Sequence, residues 1–256
     1  MNDLPIFHSI ILFAAAMAGG AAYLFTGRQR GSGLKLLLAF SAAYLLGLTL
    51  LHLLPELFHA PVAHPGWFIL AGFMLQVVLD YFSHGVEHGH AHIHPHAGMR
   101  HLLTIMAALW IHAFLEGMPF GGMPEGQVHH HGHGHDHAHL HDHRSSLLIG
   151  ISLHKVTEAL VFTALLVASG LSRGKALFWL IIFALMAPAG AWLQYGLIAS
   201  GAAWTASLGY IVIGILVGIL LHVSTTILFE GESGHRFNLI KFMTILAGIG
   251  LAAIVS

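Results

Sequence analysis

Eight apolar runs, each long enough to cross a bilayer, constrain this chain more than any other feature. They cover residues 5–26, 34–58, 67–84, 101–121, 146–170, 175–199, 207–229 and 238–255. A hydrocarbon core of about 30 Å needs roughly 20 such residues per helix. Charged residues make up only 8% of the chain and hydrophobic ones 56%, whereas a soluble domain carries about 25% charge. Such a chain cannot cover a water-facing surface. The expectation is an all-α integral membrane protein of eight transmembrane helices, forming one domain over residues 1–256. A soluble enzyme is excluded, and a net charge of -1 leaves no basic footprint for nucleic acid. The first run reads as a span and not as a signal peptide, since Asp3 precedes it and no Lys or Arg does.

The basic residues set an orientation. With the N-terminus outside, Arg28, Arg30, Lys35, Arg100, Arg173, Lys175, Arg236 and Lys241 fall on the cytoplasmic side. Only Arg144 falls outside, and Lys155 lies within a span. That bias follows the positive-inside rule and places both termini outside the cell membrane, plasma or inner.

No cysteine is present, so metal chemistry must use His, Asp, Glu or Met. Charged groups at bilayer depth cost about 2.5–3.5 kcal/mol each on insertion scales and mark functional positions. Span four carries His112 and Glu116, and span five carries His154 and Glu158. Both pairs are spaced i,i+4, which puts each on one helix face. Two such faces turned together offer two imidazoles and two carboxylates, a tetrahedral set for zinc or a similar dication. An intrahelical hydrogen bond explains one such pair; it explains two identical pairs on consecutive helices poorly. Lys155 needs a partner at this depth, either Glu158 or Glu116. Its fixed charge tunes the centre and excludes a second dication, which predicts a one-metal site.

Pro119 is expected to bend span four near Glu116 by freeing the carbonyl of Leu115. Pro55 and Pro188 are candidates for similar kinks. His84, Glu87 and His88 close span three and form a candidate exit path, with Asp80 one turn earlier. His52 and Glu56 at the outer end of span two are candidates to receive ions, and His222 in span seven is a further candidate ligand. Of the 24 histidines, many fall in two low-complexity tracts. The cytoplasmic tract covers 88–96 and the external one 129–143. Flexible imidazole tracts bind divalent metals weakly and plurally, raising the ion concentration at the two mouths.

These residues resemble the ZIP (Zrt/Irt-like) divalent metal transporters of the bacterial type over essentially the full length. The run His52-Leu53-Leu54-Pro55-Glu56 is similar to the family's span-two helix. His112-x-x-x-Glu116-Gly117 is similar to its span-four signature, and His154-Lys155-x-x-Glu158-Ala159 to a variant of its span-five signature. The resemblance implies transport of zinc, iron, manganese or cadmium toward the cytosol as substrate, without a cofactor or catalysis. It also implies His112, Glu116, His154 and Glu158 as metal ligands, with a homodimer as the frequent assembly. The chain departs from the pattern at Ala113, where some members have Asn, at Lys155, where they have an acidic residue, and at Thr157, where proline is common. His222, Ser224, Thr225 and Thr226 stand where many members have an acidic residue in span seven. The rival reading is a zinc-dependent intramembrane hydrolase. Hydrolysis wants three ligands, an open water position and a separate base. No His-Glu-x-x-His is present, and the ion would consume all four ligand candidates.

Overall fold

In the computed structural model the described residues are 5–27, 31–86, 99–122, 139–229 and 239–255. They form helices and turns, with no strand among them. In chain order the α-helices are α1 (Ile6–Thr26), α2 (Gly31–Leu48), α3 (Leu54–His59), α4 (Pro65–Ser83), α5 (Met99–Gly117), α6 (His139–Ala168), α7 (Arg173–Ala199), α8 (Leu208–Phe229) and α9 (Leu239–Ile254). A π-helical turn, Thr49–Leu53, joins α2 to α3.

Seven helical segments are long and apolar enough to cross a membrane. They include Gly33–His59, in which α2 and α3 act as one rod, and Met99–Gly121, in which α5 continues into a 3₁₀ turn. The eighth expected span is α9, whose 16 described residues fall short of the roughly 20 that cross a full hydrocarbon core. Helices are the only open-ended way to satisfy every backbone N–H and C=O without water, so the apolar runs become helices wherever they are described. Their outer faces stay apolar. On α4 the exposed residues Trp67, Leu70, Met74, Val78 and Tyr81 follow the helical period and form one stripe, as suits a lipid-facing wall.

Two helix groups emerge from the packing. In one, α1 lies on α6 and α7, and α5 lies on α7; in the other, α4 lies on α8 and α2 on α9. Within hydrocarbon no hydrophobic force drives helices together, so close backbone approach has to hold them. Glycine supplies it. A Cβ on Gly19 of α1 would stand 2.0 Å from the Val156 carbonyl oxygen of α6, and one on Gly117 of α5 would stand 1.9 Å from that of Ala187 in α7. Each contact sits beside a site residue, Lys155 in the first case and Glu116 in the second. In the second group, Phe40 lies beside Gly248 and Gly47 beside Ala252, so α2 and α9 run in the same direction.

Two of the three candidate prolines stand at helix junctions and not in the interior of a regular α-helix. α5 ends at Gly117, and Pro119 sits at the start of the 3₁₀ turn Met118–Gly121, where its missing N–H costs nothing because the first N–H groups of a helix are orphans. Pro55 likewise opens α3. The strain it would impose is taken up by the preceding π turn, in which the Leu54 N–H donates to the Thr49 carbonyl. Pro188 alone lies inside a helix, buried in α7.

Gly190 and Gly196 of α7 provide a matched test of the close contacts. A Cβ at Gly190 would stand 2.0 Å from the Phe114 carbonyl oxygen, whereas one at Gly196 meets nothing within 4 Å. Gly190→Ala is expected to destabilise the protein by about 1–3 kcal/mol through overpacking. Gly196→Ala should be neutral or stabilising by about 0.5–1 kcal/mol, because alanine is the better helix former. Thermal unfolding of the two variants in detergent measures the difference.

Candidate metal centre

The two i,i+4 pairs do meet. His112 and Glu116 come from α5, His154 and Glu158 from α6, and one ligand atom from each lies within 4.8 Å of the other three. All four residues are buried. Among the described residues this is the only such group of three or more metal-ligating side chains. The imidazole planes of His112 and His154 stand at 80° with centroids 6.1 Å apart. Bonds of 2.0–2.2 Å in a tetrahedral zinc site imply ligand-to-ligand edges of about 3.3–3.6 Å. His112 Nε2 to Glu116 Oε1 already measures 3.3 Å, and His112 Nε2 to Glu158 Oε1 measures 4.0 Å. The widest separation within the group, up to 4.8 Å, would have to contract by about 1 Å to reach that geometry.

Lys155 divides each carboxylate into two halves. Its Nζ lies 2.5 Å from Glu116 Oε2 and 2.6 Å from Glu158 Oε2. The Oε1 atoms of both glutamates are left facing His112. The two partners weighed from the sequence are therefore both taken. The lysine ammonium also lies 5.4 Å from the ring centroid of Phe183, within the range of a cation–π contact. One lysine against two carboxylates leaves the cluster one positive charge short of neutral, in surroundings where an uncompensated charge is expensive.

His154 carries a second sign of an absent partner. It is fully buried, and neither of its ring nitrogens has a hydrogen-bond partner among the described residues. Buried polar groups in native proteins are almost always satisfied, and a bare imidazole beside two carboxylates is what a bound cation would complete. His112 differs, because its Nδ1 lies 2.9 Å from Gln76 Oε1 of α4. The sequence reading passed over Gln76. The available signal was an uncharged amide in the middle of an apolar span, bracketed by Leu75 and Val77.

The departures from the transporter pattern also have structural readings. Ala113 is buried in an apolar cluster with Leu109, Phe162 and Phe183, so it offers no ligand. The Thr157 hydroxyl donates to the His154 carbonyl at 2.7 Å, and α6 runs unbroken through this position.

The other candidates stay outside the cluster. His52 Nε2 lies 3.0 Å from the Ala252 carbonyl, tying the π turn to α9, and Glu56 is half-buried in the first turn of α3. The ring of His222 meets Phe73 edge to face at 5.2 Å, and its carbonyl accepts from the Thr225 and Thr226 hydroxyls. His84 is exposed in a left-handed conformation at the end of α4 (φ 55°), with its ring 4.6 Å from that of His101. Asp80 is half-buried one turn before it. Glu87 and His88 lie outside the described residues, as does the whole 88–96 tract. Of the 129–143 tract, only the helical backbone from His139 onward is described.

No family model matches the chain, and no curated protein matches it.

Removing the lysine should expose the charge imbalance. Lys155→Met is expected to lower stability by about 3–5 kcal/mol, the usual effect of orphaning one side of a buried ion pair. Lys155→Arg, which keeps the charge, should lose less. Melting temperatures of the purified variants in detergent distinguish the two.

Proposed function

We propose that this protein carries divalent metal ions across its membrane, with zinc as the best-fitting substrate, through one intramembrane site formed by His112, Glu116, His154 and Glu158. The observation that carries the reading is the convergence of two imidazoles and two carboxylates, fully buried, between helices of a membrane-type bundle. Two neutral imidazoles and two carboxylates suit zinc's borderline character, while iron, manganese, cadmium and cobalt accept similar donors. The two carboxylates offset the charge of a dication held away from bulk water. The likeness of the span-two, span-four and span-five motifs to ZIP transporters supports the same reading. It adds inward transport, termini outside, and assembly as a homodimer. The histidine tracts at 88–96 and 129–143 suit a supply of ions to the two mouths.

The site takes one ion in this reading. Lys155 Nζ bridges the Oε2 atoms of Glu116 and Glu158, the position in which a second dication would share both carboxylates. The ammonium stands in for that ion permanently. It holds the two carboxylates in place while the site is between ions, so they are ready to receive the next one.

Zinc uptake into liposomes containing the purified protein tests transport directly. Glu116→Ala and His154→Ala should each reduce uptake to the level of empty vesicles while the protein still inserts and purifies as a folded species. Uptake at the unmodified rate in either variant would remove that residue from the site.

The bridging role of Lys155 has its own test. Lys155→Asp replaces the ammonium by a third carboxylate, and the intramembrane metal stoichiometry should rise from one ion to two. Apparent affinity should increase and maximal flux should fall as release slows. A stoichiometry of one with unchanged affinity would place the lysine charge outside the ion's field.

A further inference from the structure

The helix α4 is apolar from Pro65 to Leu79 except at Gln76, and that side chain is fully buried. A glutamine amide at this depth is retained at a cost unless it finds partners. Its Oε1 lies 2.9 Å from Nδ1 of His112. An amide oxygen accepts and cannot donate, so the proton of the neutral imidazole belongs on Nδ1. The lone pair is then on Nε2, the nitrogen that faces Glu116 Oε1 at 3.3 Å and Glu158 Oε1 at 4.0 Å. The partner of one ring nitrogen thus decides what the other can do.

We propose that Gln76 is the positioning residue of the metal centre: it holds His112 in the Nδ1–H tautomer and fixes its ring plane, so that Nε2 is the ligand. The inference rests on reading the His/Glu cluster as a metal site, and it adds a residue from a third helix to it. Metal-bound histidines generally donate their second N–H to an oxygen acceptor, which orients the ring and raises its basicity. Here the acceptor comes from α4, which packs on α8, while His112 belongs to α5, which packs on α7. The bond therefore also ties the ligand's orientation to the neighbouring helix group. His154 has no such support among the described residues, so the two imidazoles are inequivalent. One ring has a partner that fixes its orientation, and the other has none among the described residues.

Zinc binding by the full-length protein in detergent, measured by equilibrium dialysis, tests this. The Glu116→Ala/His154→Ala double variant provides the background from the histidine tracts. Gln76→Met keeps the length of the side chain and removes the acceptor; it should weaken the intramembrane site about 10- to 100-fold with little change in melting temperature. Gln76→Glu restores an oxygen acceptor for Nδ1–H and should bind zinc within a few-fold of the unmodified protein. In a His112→Ala background, Gln76→Met should cause no further loss of zinc binding, because in this inference the glutamine acts on the ion through that ring. Three results would each overturn the inference: unchanged binding in Gln76→Met, equal loss in Gln76→Glu, or an undiminished effect of Gln76→Met without His112. Failure of the metal-site reading itself looks different. In that case the unmodified protein binds no more zinc than the Glu116→Ala/His154→Ala background.

Discussion

The ammonium of Lys155 lies between the carboxylates of Glu116 and Glu158, at 2.5 and 2.6 Å, and the arrangement of α5 and α6 depends on that contact. Three formal charges are buried together, and each alone would oppose insertion into an apolar bundle. Grouped, they compensate one another only if the two helices present them at a common point. The ion pair therefore acts as a constraint on helix register as much as a source of attraction. A shift of either helix by one residue would rotate a carboxylate away by about 100° and strand a charge in hydrocarbon. This is the sense in which buried ionic groups specify a structure even where they add little net stability.

The same contact shapes the chemistry on offer. By engaging the Oε2 atoms, the lysine leaves the Oε1 atoms facing His112, so each glutamate has one oxygen in the ion pair and one turned to an imidazole. The cluster keeps an excess of negative charge, and its His154 nitrogens lack hydrogen-bond partners among the described residues. Both features favour a cation. Gln76 completes the arrangement from the opposite helix group by acting on the far side of the His112 ring. The cluster thus draws on three helices, and only two of them contribute candidate ligands.

Small residues make that convergence sterically feasible. Gly19 against Val156 and Gly117 against Ala187 bring α1 to α6 and α5 to α7 at backbone contact, one residue away from Lys155 and Glu116. Without aqueous solvent to drive association, dispersion at such contacts and the buried polar cluster are the forces that select this packing. The apolar faces of α4 and α7 are left outward, where they meet lipid at no cost.

The sequence by itself determined the helical membrane-type class, because 8% charge admits no soluble alternative and hydrocarbon admits no unpaired backbone. It also determined the two His–Glu faces, since i,i+4 spacing has only one geometric consequence on a helix. It pointed to Lys155 as a charge needing a carboxylate and left two candidates. Tertiary structure alone decided that both are used, because the choice depends on where α5 stands relative to α6. It alone placed Gln76 on His112, across 36 residues of chain, a distance no local period can read. It also decided the setting of Pro119, which lies in a 3₁₀ turn just beyond the end of α5. A proline forbids a hydrogen bond, but whether the chain bends or stops depends on what packs beyond it. Here Gly121 meets the Ala191 carbonyl of α7, and the tight turn follows that neighbour.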